Sequence, residues 1–99
     1  MRPLSPMIAS TAKPRLSPKA RLRFDRRTGR YLLLYPERGL DLNATAGEIT
    51  RLCTGEHRME DIVRHLAGTC PAVSPADIQR AVSEFLAALA ARGLLQDHR

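Results

Sequence analysis

The hydrophobic period of this chain changes once, between residues 42 and 45, and that change limits the folds open to it. Before it, apolar and polar side chains alternate. Ala20, Leu22 and Phe24 interleave with Lys19, Arg21 and Arg23, which predicts a strand over residues 19–25 with one buried and one basic face. Asp25-Arg26-Arg27-Thr28-Gly29 reads as a hairpin loop in which Gly29 supplies a positive φ. Residues 30–35 are more apolar and suit a central strand, covered on both sides of Leu32, Leu33 and Leu34. Pro36-Glu37-Arg38-Gly39 is a turn, and Leu40-Asp41-Leu42 a short third strand. A three-stranded antiparallel meander follows, with the first and third strands at its edges.

After the change the period is helical. Asn43 or Thr45 can cap a first helix, Thr45 and Glu48 make a capping box, and Gly55 stops it. Glu60 and Asp61 suit the first turn of a second helix, with Ile62, Val63 and Leu66 buried and Gly68 at its end. Ser74-Pro75-Ala76-Asp77 is the clearest start signal: Ser74 caps, and Pro75 takes the first helical position. Ile78, Val82, Phe85, Leu86 and Leu89 then recur at helical spacing up to Gly93, with Leu94 and Leu95 packing back beyond it. The order β-β-β-α-α-α makes this an α+β chain: a three-stranded antiparallel β-meander followed by three α-helices.

At 99 residues and 11.0 kDa the chain suits one small domain, which excludes a multi-domain enzyme. Residues 1–18 are rich in Pro, Ser and Thr and are expected to form a flexible tail before a domain over residues 19–96. No apolar run approaches the ~20 residues of a membrane span, and the Pro-rich start does not read as a secretory signal. Two cysteines, Cys53 and Cys70, point to a reducing compartment, hence the cytoplasm.

Charge is unevenly placed. Residues 1–30 carry nine Lys or Arg against one acid, a net of +8, whereas residues 31–99 carry −2. An anionic partner for the basic third is one reading, and a solvated arm the other. Nucleic-acid binding by a small winged helix-turn-helix is an alternative, but the third helix sets Arg80 and Arg92 against Asp77 and Glu84, a poor recognition helix. Catalysis finds no paired carboxylates and no phosphate loop, and His57, His65 and His98 lack nucleophile partners. Zinc would need Cys53, His57, His65 and Cys70, whose spacing fits no strong template, so no metal is expected. Peptide binding fits the architecture better. A third strand at a sheet edge offers free N–H and C=O groups, and a flanking third helix would wall a groove. The same exposed edges would also permit pairing between copies, as a homodimer.

Three runs carry a resemblance. Arg21-Leu22-Arg23-Phe24-Asp25, Leu32-Leu33-Leu34-Tyr35-Pro36-Glu37-Arg38-Gly39 and Leu42-Asn43-Ala44-Thr45-Ala46-Gly47-Glu48-Ile49 are similar to the PqqD family of pyrroloquinoline quinone biosynthesis. The later Leu52-Cys53, Ile62-Val63 and Gly93-Leu94-Leu95 fit the same pattern, so the resemblance spans residues 15–96. It implies a winged-helix-like recognition element for a ribosomally made, modified peptide, and a chaperone without catalysis or cofactor. It implies that the leader of the precursor peptide PqqA binds and is presented to the radical SAM enzyme PqqE. The leader would add as a strand beside Leu40, Asp41 and Leu42 and lie against Ile78, Ala81, Val82 and Phe85. Arg21, Arg23 and Arg80 would attract acidic groups of the peptide or of the enzyme.

Overall fold

The computed structural model describes residues 2–3, 10–36 and 38–97. Its strands are β1 (Arg2–Pro3), β2 (Pro14–Leu16), β3 (Arg21–Asp25), β4 (Arg30–Tyr35), β5 (Arg38–Leu42) and β6 (Leu95–Asp97). Its helices, α1 (Ala44–Arg51), α2 (Met59–Thr69) and α3 (Pro75–Ala91), lie between β5 and β6. The expected meander is present, in the order β3-β4-β5 with both pairs antiparallel. Gly29, at φ 70°, completes the β3–β4 turn, and its N–H donates to the Asp25 carbonyl at 2.8 Å. β5 is longer than its alternation suggested, because Arg38 already pairs with Tyr35.

The register sets which side chains share a face. Leu22, Leu33 and Leu40 are cross-strand partners, so they point the same way, as do Phe24, Tyr31 and Leu42. This inner face meets the helices, with α1 packed on β4 and β5. Leu33 at its centre is fully buried among Leu42, Ile49, Ile62, Val82, Leu86 and Leu89. The opposite face is not covered on both sides as the apolar run suggested: Leu32 and Leu34 stay half-buried there. Phe24 also departs from the expected buried face. It is 50% exposed, and its ring meets Tyr31 edge-on at 5.1 Å.

The helix starts follow the sequence. Asn43 caps α1 by accepting from the Ala46 N–H at 2.7 Å, so Thr45 is not the cap. Glu48 instead binds Arg51 and His65, the latter across to α2 at 3.1 Å. Ser74 caps α3 by accepting from the Asp77 N–H, with Pro75 at the first position. α2 runs through Gly68 and ends at Cys70, just before Pro71.

The Pro-rich start is corrected most. Pro14–Leu16 and Arg2–Pro3 pair with the two sides of β6, giving a second sheet in the order β1-β6-β2. Residues 4–9 of the expected tail lie outside the described residues. Proline weakens a strand interior but is tolerated at its first residue, where Pro14 stands, fully buried. The segment also supplies carbonyls where helix donors need them. The Met59 and Glu60 N–H groups, at the start of α2, donate to Ala12 and Ser10 at 2.8 and 3.0 Å. Such first-turn donors have no partner within their own helix. Asp61 completes this cap by accepting from the Arg58 N–H at 3.1 Å.

α1 can lie close on the sheet because position 47 has no side chain. A Cβ there would stand 2.7 Å from Tyr31 Cδ2 and 3.2 Å from Tyr31 Cβ. Gly47→Ala is therefore expected to destabilise the fold by about 1–3 kcal/mol, the usual cost of overpacking. Urea unfolding measures it, and a wild-type midpoint in the variant would show that α1 does not rest on Tyr31.

Candidate functional site: an open sheet edge beside a helix

β5 pairs with β4 on one side, and no strand among the described residues lies on its other side. Its outward N–H and C=O groups therefore have no strand partner among the described residues, while the Leu42 carbonyl accepts from Arg30 Nε at 3.5 Å. Two contacts tie the ends of α3 to the residues that flank β5. At one end, Ile78 and Ala81 of α3 share a cavity with Thr45, which follows β5 by three residues. At the other, Arg92 Nη1, just past α3, donates to the Tyr35 hydroxyl at 3.2 Å, where β4 turns into β5. The helix therefore runs antiparallel to β5. The 14-residue step from Ile78 to Arg92 spans about 21 Å, and β5 at five residues spans about 17 Å.

The two walls are of different character. Along α3, Ile78 and Val82 are buried and belong to the core, while Phe85 is half-buried and Ala81 exposed. Ala81, Phe85 and Ala88 recur at helical spacing on the accessible side. The two alanines leave room for a backbone to come close. On β5, Leu42 is buried and Leu40 half-buried on the inner face, while Asp41 is exposed on the outer face and pairs with Arg30 at 3.5 Å. Of the positions named from the sequence, Leu40, Asp41, Ala81 and Phe85 thus keep some exposure, whereas Leu42, Ile78 and Val82 are buried in the core.

The cavity at the N-terminal end of α3 holds about 180 Å³ and is lined by Thr45, Leu66, Cys70, Val73, Asp77, Ile78 and Ala81. Most of this lining is apolar, which suits an aliphatic or aromatic side chain. Sequence reasoning missed Leu66, Cys70 and Val73 as site residues. A signal was present: Val73 and Ile78 sit immediately before the cap and at the fourth helical position, the spacing of a hydrophobic staple. Val73 stays 45% exposed, so this staple leaves an opening.

The three arginines named from the sequence are not gathered. Arg80 pairs with Asp77 on the exposed side of α3 at 3.6 Å. Arg21 and Arg23 lie on β3, the other edge of the sheet. No three His, Cys, Asp or Glu side chains among the described residues are placed to hold a metal ion. Cys53 is buried and donates to the Ile49 carbonyl at 3.3 Å, and burial pushes its thiol up to about 12.

An α+β, winged-helix-like domain that leaves one sheet edge open beside its last helix is a recognisable class. The family model described as Coenzyme PQQ synthesis protein D (PqqD) matches residues 30–95, and the chain belongs to this family. The PqqA binding protein of Rhodopseudomonas palustris strain TIE-1 is 36% identical over 99 residues, 100% of this chain and 96% of that protein. The PqqA binding protein of Methylococcus capsulatus is 43% identical over 51 residues, 52% of this chain and 55% of that one. The solution structure of the PqqD truncation of Methylobacterium extorquens PqqCD, a stand-alone recognition element for ribosomally synthesised and modified peptides, superposes with a TM-score of 0.75. It is 32% identical and covers 94% of this chain and 99% of that one. TbiB1 in complex with the TbiA(beta) leader peptide shares the fold, with a TM-score of 0.71 at 24% identity over 83% of this chain and 94% of that one.

The two thiols should differ sharply. At pH 8 a thiol of pKa about 12 is ionised in roughly one molecule in ten thousand. A thiol reagent is expected to modify Cys70 alone in the native protein, and both cysteines in urea. Two equally fast native reactions would contradict the burial of Cys53.

Proposed function

We propose that this protein is a non-catalytic peptide adaptor in pyrroloquinoline quinone synthesis. It binds the leader of the precursor peptide PqqA by strand addition to β5 and presents it to the radical SAM enzyme PqqE. The observation that carries the reading is the β5 edge without a strand partner among the described residues, with α3 tied to the residues flanking β5 and an apolar cavity beside Thr45. The relatives named as PqqA binding proteins support the choice of peptide. Main-chain bonds along β5 supply affinity that depends little on guest sequence. Side-chain selection falls to the groove between Leu40, Ala81 and Phe85 and to the cavity beside it. Leader side chains alternate, so every second one faces α3 and the others face solvent. Holding the leader leaves the core segment tethered and raises its effective concentration at an enzyme bound to the same adaptor.

Nucleic-acid binding gains no support from this geometry. The side of α3 that would have to meet phosphates carries the Asp77–Arg80 pair and Glu84.

Titration with a synthetic PqqA leader at physiological salt, with a random DNA duplex in parallel, tests the reading. Saturable one-to-one leader binding and weak, salt-sensitive DNA binding are expected. Ala81→Asp places a charge on the apolar wall at an exposed position, so it should weaken leader binding by about tenfold or more (1.4 kcal/mol per decade) and leave the unfolding midpoint near wild type. Bound leader should also slow modification of Cys70, which lines the cavity. Wild-type leader affinity in Ala81→Asp, with no protection of Cys70, would put the peptide elsewhere.

A further inference from the structure

The other edge of the same sheet is built differently. Phe24 on β3 is 50% exposed, and it stands among arginines. Arg21, Arg23 and Arg26 are exposed, and none has a carboxylate partner among the described residues. Asp25 is the single acid in residues 21–30, against five arginines, so the hairpin carries a net charge of +4. That acid is engaged locally: it accepts from the Arg27 N–H at 3.0 Å and faces the Arg27 guanidinium at 3.9 Å. A cavity of about 480 Å³ is lined by Arg23, Phe24, Asp25, Arg26, Arg27 and Leu32. By the register, Arg23 and Leu32 project from the outer face of the sheet and Phe24 from the inner face, so this cavity spans the β3 edge of the hairpin.

We propose that the β3–β4 hairpin is a second docking surface, which takes an acidic patch with an apolar centre on the peptide-modifying enzyme. The inference rests on the adaptor reading for its partner, and it adds the face by which that partner is held. An exposed aromatic that shares a cavity with three arginines has the composition of an energetic centre at a protein interface. The unpaired arginines set the sign of the partner's charge, and they would speed its approach at low salt. Phosphate groups alone would leave Phe24 and Leu32 in that cavity without an apolar counterpart, so a folded protein surface fits better than a nucleic acid. The leader is assigned to the opposite edge. β3 and β5 are separated by one strand, about 10 Å, and face away from each other in the plane of the sheet. Enzyme and leader can therefore be held at the same time.

Two variants test this, Phe24→Ser and the double change Arg23→Glu with Arg26→Glu. All three positions are exposed, so both proteins should keep the wild-type fold, checked by their amide spectra. Each is titrated with the synthetic PqqA leader, with PqqE in the presence of saturating leader, and with a DNA duplex. Leader affinity is expected to stay within about twofold of wild type, while PqqE affinity falls at least tenfold in both. Raising salt should weaken PqqE binding to wild type more than to the double arginine variant. Wild-type PqqE affinity in both variants would overturn the proposal. So would a parallel loss of leader affinity, which would make the hairpin part of the leader site, or tight wild-type DNA binding lost in the arginine variant. A wild-type protein that binds PqqE through the hairpin but does not bind the leader would sink the adaptor reading and leave this surface standing.

Discussion

The approach of α1 to the sheet across Gly47 and Tyr31 is the contact on which the rest depends. α1 follows β5 after a single capping residue, so its height above β4 sets where the helical layer begins. With Gly47 against the tyrosine ring, Ile49 drops into the core beside Leu33, and α2 and α3 close over them through Ile62, Val82 and Leu86. Each fully buried aliphatic side chain contributes about 1.5–3 kcal/mol relative to exposure. A higher α1 would open this layer and carry α3 away from β5. The position of α3 relative to β5 is thus a consequence of core packing.

The N-terminal segment performs a second structural task. A domain of this size buries limited apolar surface and cannot leave many helix-end donors unpaired. Here the chain before the meander runs past the start of α2 and offers the carbonyls of Ser10 and Ala12 to it. Pro14 accepts from the Gly55 N–H at 3.0 Å, and Leu16 donates to the Cys53 carbonyl at 3.1 Å. The segment stitches the α1–α2 connection to β6, and so joins the two ends of the chain to its middle.

The meander, the three helices and two of the helix caps were legible because local chemistry decides them. Alternation reports a strand wherever one face is wet, and Ser74-Pro75 reports a helix start wherever it occurs. What was not legible depends on partners distant in sequence. The segment around Pro14 has the composition of a tail, and only the presence of β6 some 80 residues later makes it a strand. Phe24 alternates like a core residue, yet its burial depends on what packs against β3. The elements of the proposed site, the third strand and third helix, were legible as elements, and the accessibility of their individual residues much less so. Ile78 and Val82 carry the helical period because they are core, so the same signal that locates α3 hides which of its side chains face the groove.

A small sheet with two edges must keep both from pairing with copies of itself. The two edges here differ, and on the proposed reading the difference would let one small domain serve two partners. On β3, arginine side chains alternate with apolar ones, and like charges oppose the approach of a second β3. On β5, no such charge alternation is present, and on the proposed reading that edge is reserved for the leader strand. On the proposed reading, the charged edge would repel its own kind and favour an acidic surface, whereas the other edge would take an extended segment. Selectivity between an enzyme and a leader peptide would then follow from how the two edges of one sheet differ.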